Sequence, residues 1–123
     1  MAERRMFAKS VVLADQFLAL SPKTRCLYFA LGMSADDDGF VGNPKSICRL
    51  CGAGERELQT LLEKGYVYLF DSGVAALRHW RTCNLIRADR HKPTDYTKER
   101  EKLIFNGTGE YLQLGMIEST EHA

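Results

Sequence analysis

At 123 residues, 45% of them hydrophobic and 27% charged, the chain suffices for one globular domain with a modest core and is short for two. Its 17 basic and 16 acidic residues leave a formal charge of +1, so no overall signature marks a nucleic-acid binder and only the local distribution of charge can. No stretch is long and apolar enough to span a bilayer, and Lys9, Asp15 and Gln16 interrupt the apolar run that a signal peptide needs, so the chain is expected to be cytoplasmic with no membrane partner.

Arg4 to Leu13 alternates weakly around Phe7, Val11 and Val12 and suits an extended arm or an edge strand. Asp15 to Leu20 suits a turn of helix that gives Phe17, Leu18 and Leu20 to the core. Ser21 as N-cap and Pro22 at the first helical position predict a helix to about Ser34, with Leu27, Ala30, Leu31 and Met33 as its apolar coverage. Ala35-Asp36-Asp37-Asp38-Gly39-Phe40 then reads as a turn that delivers Phe40 and Val41 to a short strand. Three acids beside a glycine invite a calcium loop. With Gly39 as the loop glycine of an EF-hand, however, Lys45 falls where a bidentate Glu is required, and the reading fails.

Asn43 and Pro44 repeat the cap signal and predict a short helix over Lys45 to Cys51, closed by Gly52. After the turn Ala53-Gly54, Glu55 to Lys64 places Leu58, Leu61 and Leu62 on one helical face, with Gly65 as the stop. Tyr66 to Phe70 and Val74 to Trp80 are β-prone runs around Asp71-Ser72-Gly73, a hairpin signal. Helix, tight turn, helix, hairpin is the order of a winged helix, an α+β fold whose second helix can enter a major groove while the hairpin reaches flanking backbone.

Thr82 to Pro93 is polar and basic and is expected to lie irregularly against the domain. Pro93-Thr94 opens a predicted helix over Asp95 to Phe105, whose sparse stripe of Tyr96, Leu103 and Ile104 suits a partner. Asn106-Gly107-Thr108-Gly109 reads as a flexible break, Tyr111, Leu112 and Leu114 as a small strand, and the remainder as a tail. The expected organisation is a winged-helix domain over 1–92 and a C-terminal helical extension over 93–123.

Cys48-x-x-Cys51, with His79 and Cys83 to complete four ligands, resembles a zinc knuckle, but there is no second Cys-x-x-Cys and both thiols suit the buried side of a short helix. All four cysteines are read as free thiols, as a reducing compartment allows. His79, His91 and His122 belong to no recognisable nucleophile motif, and His79 beside Trp80 suits the margin of a sheet. With no Gly-rich phosphate loop after a strand, neither an enzyme nor a cofactor or metal is expected.

Charge is unevenly spread. Arg78 to Lys92 holds five Arg/Lys against one Asp, a local +4, whereas Asp36 to Asp71 holds seven acids against four bases. Arg78, Arg81, Arg87, Arg90 and Lys92 are therefore the expected source of DNA affinity, following the backbone. Arg56, Gln59, Thr60 and Lys64 project from the exposed side of the second helix, where they suit base edges and phosphate. With Glu55, Glu57 and Glu63 on the same helix, they suit an ordinary solvated face equally well. The rival function is protein docking, with the acidic helix and an exposed Tyr66 and Tyr68 as the surface.

Several motifs occur in a recognisable order: Arg5-Met6-Phe7-Ala8-Lys9, Ala35 to Phe40, Asn43-Pro44-Lys45, His79-Trp80, Asn84-x-Ile86, and Asp89-Arg90-x-Lys92-Pro93-Thr94-x-Tyr96. Through them the chain resembles the phage replisome organiser proteins, which resemble the N-terminal domain of DnaD-like replication initiation proteins, over about residues 4 to 103. The resemblance implies a winged-helix domain that binds DNA, often self-associates, and helps assemble the primosome at a replication origin. In many such proteins a further C-terminal region contacts the helicase or its loader. Self-association is expected through Arg4 to Val12 and Asp95 to Leu114, whose apolar residues a small winged helix does not obviously need.

Overall fold

The computed structural model describes residues 4–84 and 88–113, and within them the fold is a mixed α+β arrangement of short helices and two small antiparallel sheets. No strand forms over Arg4 to Leu13, and only the first part of that stretch is an arm. Residues 4–8 are extended and lead into the single-turn helices α1 (Lys9–Val12) and α2 (Asp15–Leu18). The extended part is held by a side chain: Met6 N–H donates to Asn84 Oδ1 (2.8 Å) while Asn84 Nδ2 donates to Met6 O (3.2 Å). An amide side chain thus satisfies the backbone groups that a neighbouring strand would otherwise pair. Phe7 packs its ring on Phe29 (4.9 Å between centroids), and Val11 and Phe17 are buried. Leu18, one position and about 100° around the helix from Phe17, faces out instead of in.

Helix α3 (Pro22–Ser34) has the expected bounds because its cap is local: Ser21 Oγ accepts the Thr24 N–H at 3.2 Å, and Pro22 occupies the first helical position. Leu27 and Leu31 are fully buried, whereas Met33, two residues and about 200° round from Leu31, is exposed on the opposite side. The chain continues through β1 (Phe40–Val41), α4 (Pro44–Leu50), α5 (Glu55–Glu63), β2 (Val67–Leu69) and β3 (Ala75–Leu77). The strands lie in the order β1-β3-β2, with Ala76 of β3 opposite Phe40 on one side and Tyr68 on the other. Tyr66 and Tyr68, expected on the surface, are buried, and the Tyr68 hydroxyl donates to Tyr111 O at 2.7 Å.

β3 stops at Leu77, and Trp80 is not a strand residue but the first of the short helix α6 (Trp80–Cys83), with His79 at its N-cap position and not at a sheet margin. Indole chemistry explains the turn: a buried Trp needs an acceptor, and Nε1 donates to Asp37 O at 2.8 Å. Gly39 makes room for the ring. Its φ is +89°, and a Cβ there would lie 2.6 Å from the indole.

The predicted helix over Asp95 to Phe105 is also corrected. Only α7 (Thr97–Arg100) is helical, and β4 (Leu103–Phe105) pairs antiparallel with β5 (Tyr111–Gln113). Arg100 Nη1 donates to Leu103 O at 2.8 Å, and from there the pattern has a period of two: Leu103 in, Ile104 out. The expected flexible break is instead the hairpin turn, in which Asn106 Oδ1 accepts the N–H groups of Thr108 (3.0 Å) and Glu110 (2.9 Å). Leu103 and Tyr111 join the same core as α3 and the three-stranded sheet. Val11, Leu103 and Tyr111, apolar residues expected to serve self-association, are therefore covered by the chain itself.

The three consecutive acids organise the chain beyond the first hairpin. Asp36 Oδ1 accepts the N–H groups of Asp38 and Phe40, both at 3.0 Å, and Oδ2 accepts the Thr94 hydroxyl. Asp37 accepts from Arg5 Nη2 (3.1 Å) and from the Lys92 N–H (3.0 Å), and Asp38 from His91 Nε2 (2.7 Å, on the tautomer that donates there) and the Thr94 N–H (2.8 Å). Irregular chain over 91–94 has no ladder to satisfy its donors, and the carboxylates take that place. Arg5 also lies 5.3 Å from the Trp80 ring centroid. Motif residues from four separate stretches of the sequence thus meet at one point.

Beside them, burial lowers the pKa of His79 below its ordinary 6.5, outweighing the pull of Glu110. Glu110 is itself held low: burial acts upward, but a hydrogen bond from Thr108 and the charges of His79 and Arg78 prevail. The unfolded chain therefore binds more protons than the folded one as pH falls through 6.5 and again through 4.5, and stability present above those values is lost below them. Thermal unfolding midpoints between pH 7.5 and 5.5 are expected to fall in the parent chain and to fall less in His79→Gln; equal slopes would count against burial of a neutral His79.

Candidate nucleic-acid interface

Helix α5 is set by its two ends and one face. Gly54 stands at the N-cap with its N–H donated to Glu57 Oε1 (3.4 Å), and Gly65 follows the C-cap Lys64 with φ +81°. Leu58 and Leu61 are buried against α3. The opposite side is open, and the 3.6-residue period divides it into two stripes.

Arg56, Thr60 and Lys64, four residues apart, form one stripe and line a cleft of about 510 Å³ between α5 and the start of α3. Lys23 lines the same cleft from α3, and Glu57 is its acid, with one carboxylate oxygen turned back to Gly54. The other stripe is Glu55, Gln59 and Glu63. Glu55 pairs with Lys45 (3.6 Å) and Gln59 Nε2 donates to Glu63 Oε1 (3.4 Å). A helix that is acidic by count is thus sorted by face, with its bases on the cleft side. Lys23 is absent from the residues that the sequence suggests; its place in the first turn after Ser21-Pro22 is visible there, but its distance in sequence from α5 hides the convergence.

The basic segment beyond β3 is divided. Arg78 Nε is paired with Glu110 Oε1 at 3.0 Å and half-buried. The Arg81 guanidinium lies 4.2 Å over the Phe105 ring and stays exposed at its outer side. Arg90 and Lys92 are exposed, and Arg87 lies outside the described residues. Lys92 shares a hollow with Ser34, Ala35 and Asn43, at the C-terminal end of α3, whereas the α5 cleft adjoins Ser21, Lys23 and Thr24 at the other end. The 13 residues of α3 separate the two groups by about 20 Å at the helical rise of 1.5 Å per residue. Among the described sequence-predicted residues, Lys92 therefore lies apart from Arg56, Thr60 and Lys64 of α5.

The tip of the β2–β3 hairpin carries Asp71, and Ser72 Oγ donates to Glu99 Oε2 at 2.7 Å, so that tip is acidic. All four cysteines are free thiols, with Cys48 and Cys83 buried. Among the described residues, no group of three or more His, Cys, Asp or Glu is disposed to hold a metal ion, and no helix is long and apolar enough to cross a membrane. Comparison with family models, with curated proteins and with solved structures found no match.

Proposed function

We propose that residues 21–77 are a winged helix that binds duplex DNA, with α5 as the helix presented to the major groove. The observation that carries this reading is the chain order helix, strand, helix, helix, hairpin with strands in the order β1-β3-β2, which leaves the Arg56, Gln59, Thr60 and Lys64 side of α5 uncovered. Arg81, Arg90 and Lys92 supply backbone contacts away from the α5 cleft, and Arg87, which lies outside the described residues, belongs to the same expectation. The ordered motifs that resemble the replisome organisers support a role in replication initiation, in which such a domain helps assemble a primosome. Self-association and recruitment of a helicase loader or other replisome proteins belong to the same reading.

An electrophoretic shift series with duplex and single-stranded DNA at increasing salt tests it. Neutralising Arg90 and Lys92 together is expected to weaken binding for every sequence and to lower the salt slope by about 0.9 per lost contact on duplex. Gln59→Ala is expected to change preference among sequences by roughly 1–3 kcal/mol if it pairs with a base edge in a bidentate manner. A second reading, docking of a basic protein segment, is favoured by the acidic hairpin tip and by the Glu55, Gln59 and Glu63 stripe. Absence of any salt-dependent DNA binding would make it the better one.

A further inference from the structure

We infer that the cleft between α5 and the start of α3 is a backbone-phosphate clamp, closed by Lys23 from α3 and by Arg56 and Lys64 from α5. The inference rests on the DNA-binding reading and gives the exposed residues of α5 separate tasks. Three cationic side chains from two helices line one cleft, against the single acid Glu57, which is drawn toward the Gly54 N–H at its own helix start. Lys23, Arg56 and Lys64 are exposed, so their charge is not neutralised by burial against an internal partner. Thr60 sits between Arg56 and Lys64 and donates its one hydroxyl proton to Arg56 O at 3.0 Å, so the cations, and not this hydroxyl, are the groups left to meet an anion. A phosphodiester is the ligand this arrangement fits: a compact anion that three flexible cations reach from two sides, with a volume well within about 510 Å³.

The stripe outside the cleft has the opposite character. Gln59 lies there beside Glu63 and apart from the bases, so it is the α5 side chain left to meet a base edge. Arg56, which sequence alone paired with Gln59 as a reader of bases, is assigned to the backbone. Lys23 becomes an interface residue although it belongs to the first helix of the motif. Its contribution is sequence-independent, and the salt dependence of binding is where it appears.

The test uses the full chain and fluorescence anisotropy of two labelled duplexes of unrelated sequence and equal length, titrated at several KCl concentrations. Lys23→Ala and Lys64→Ala are each expected to weaken both duplexes equally and to reduce the salt slope by about 0.9. Arg56→Ala is expected to do the same with no change in the ratio between the two duplexes, and Lys23→Arg to retain the parent slope. Lys98→Ala, an exposed base on α7 away from the cleft, is the control and is expected to leave the slope unchanged. Circular dichroism melts confirm folding of each variant. If the parent chain binds neither duplex at any salt, the DNA-binding reading fails and the clamp with it. If the parent binds but Lys23→Ala keeps the full slope, or Arg56→Ala changes the ratio between duplexes, the clamp alone is overturned.

Discussion

A chain that ends at Lys92 is expected to lose cooperative folding. The removed part carries Leu103 and Tyr111, 1% and 0% exposed, and Tyr111 fills the space beside Phe40 while its hydroxyl donates to Asp38 O (2.7 Å) and its carbonyl accepts from Tyr68. Truncating one buried Leu costs about 2–5 kcal/mol and one buried aromatic about 3–5 kcal/mol. A whole domain has only about 5–15 kcal/mol of stability. Thr94 goes as well, leaving Asp36 Oδ2 and Asp38 Oδ2 without the donors they have in the intact chain. Thermal melts followed by circular dichroism, with amide proton dispersion by NMR, measure the outcome. A sharp transition near that of the intact chain would make 93–113 a dispensable extension.

Asp37→Ala is expected to cost about 3–5 kcal/mol, the range for removing one partner of a buried ion pair. The Asp37 and Arg5 side chains are 0% and 3% exposed, and among the described residues Arg5 Nε and Nη1 have no hydrogen-bond acceptor, so the guanidinium depends on this carboxylate, on Ala35 O and on the Trp80 ring. Deleting the acid leaves a cation in a site from which water is largely excluded. Arg5→Met in the same chain removes the stranded charge, and the double variant is expected to recover part of the loss. Urea denaturation of the parent, both single variants and the double variant completes the cycle. A loss under about 1 kcal/mol for Asp37→Ala would mean that Arg5 finds water or another acceptor.

Some of the charged residues that stand out along the chain are engaged within the fold. The acids at 36–38 suggest a calcium loop by their spacing, and the bases at 78–92 a DNA surface by their number. In the structure the acids hold the backbone of 91–94 together with Arg5, and Arg78 holds Glu110. Charge counts along a chain cannot distinguish a solvated base from one paired across 32 residues. The α5 acids show the reverse: three Glu in one short helix discourage contact with phosphate, yet Glu55 and Glu63 lie on the stripe outside the cleft.

From Ser21 to Leu77 the sequence by itself determined the elements, because their signals are local. Ser21 and Pro22 start α3 within one turn, Gly65 stops α5, and Gly73 turns the hairpin, each through interactions that span only a few residues. Only the tertiary structure decided the rest. Trp80 left the strand pattern for an acceptor at Asp37, 43 residues away, and Tyr68 became buried because Tyr111, also 43 residues away, covers it. The stretch over 95–105 has helix-forming charges in its first half and a period of two in its second, and β5 drew that second half into a hairpin. Lys23 and Arg56 share a cleft because α3 and α5 pack on Leu58 and Leu61, a contact that no spacing in the chain records. Caps and turns are settled by neighbours along the backbone, whereas burial, pairing of charge and the facing of a helix stripe depend on which distant surfaces exclude water.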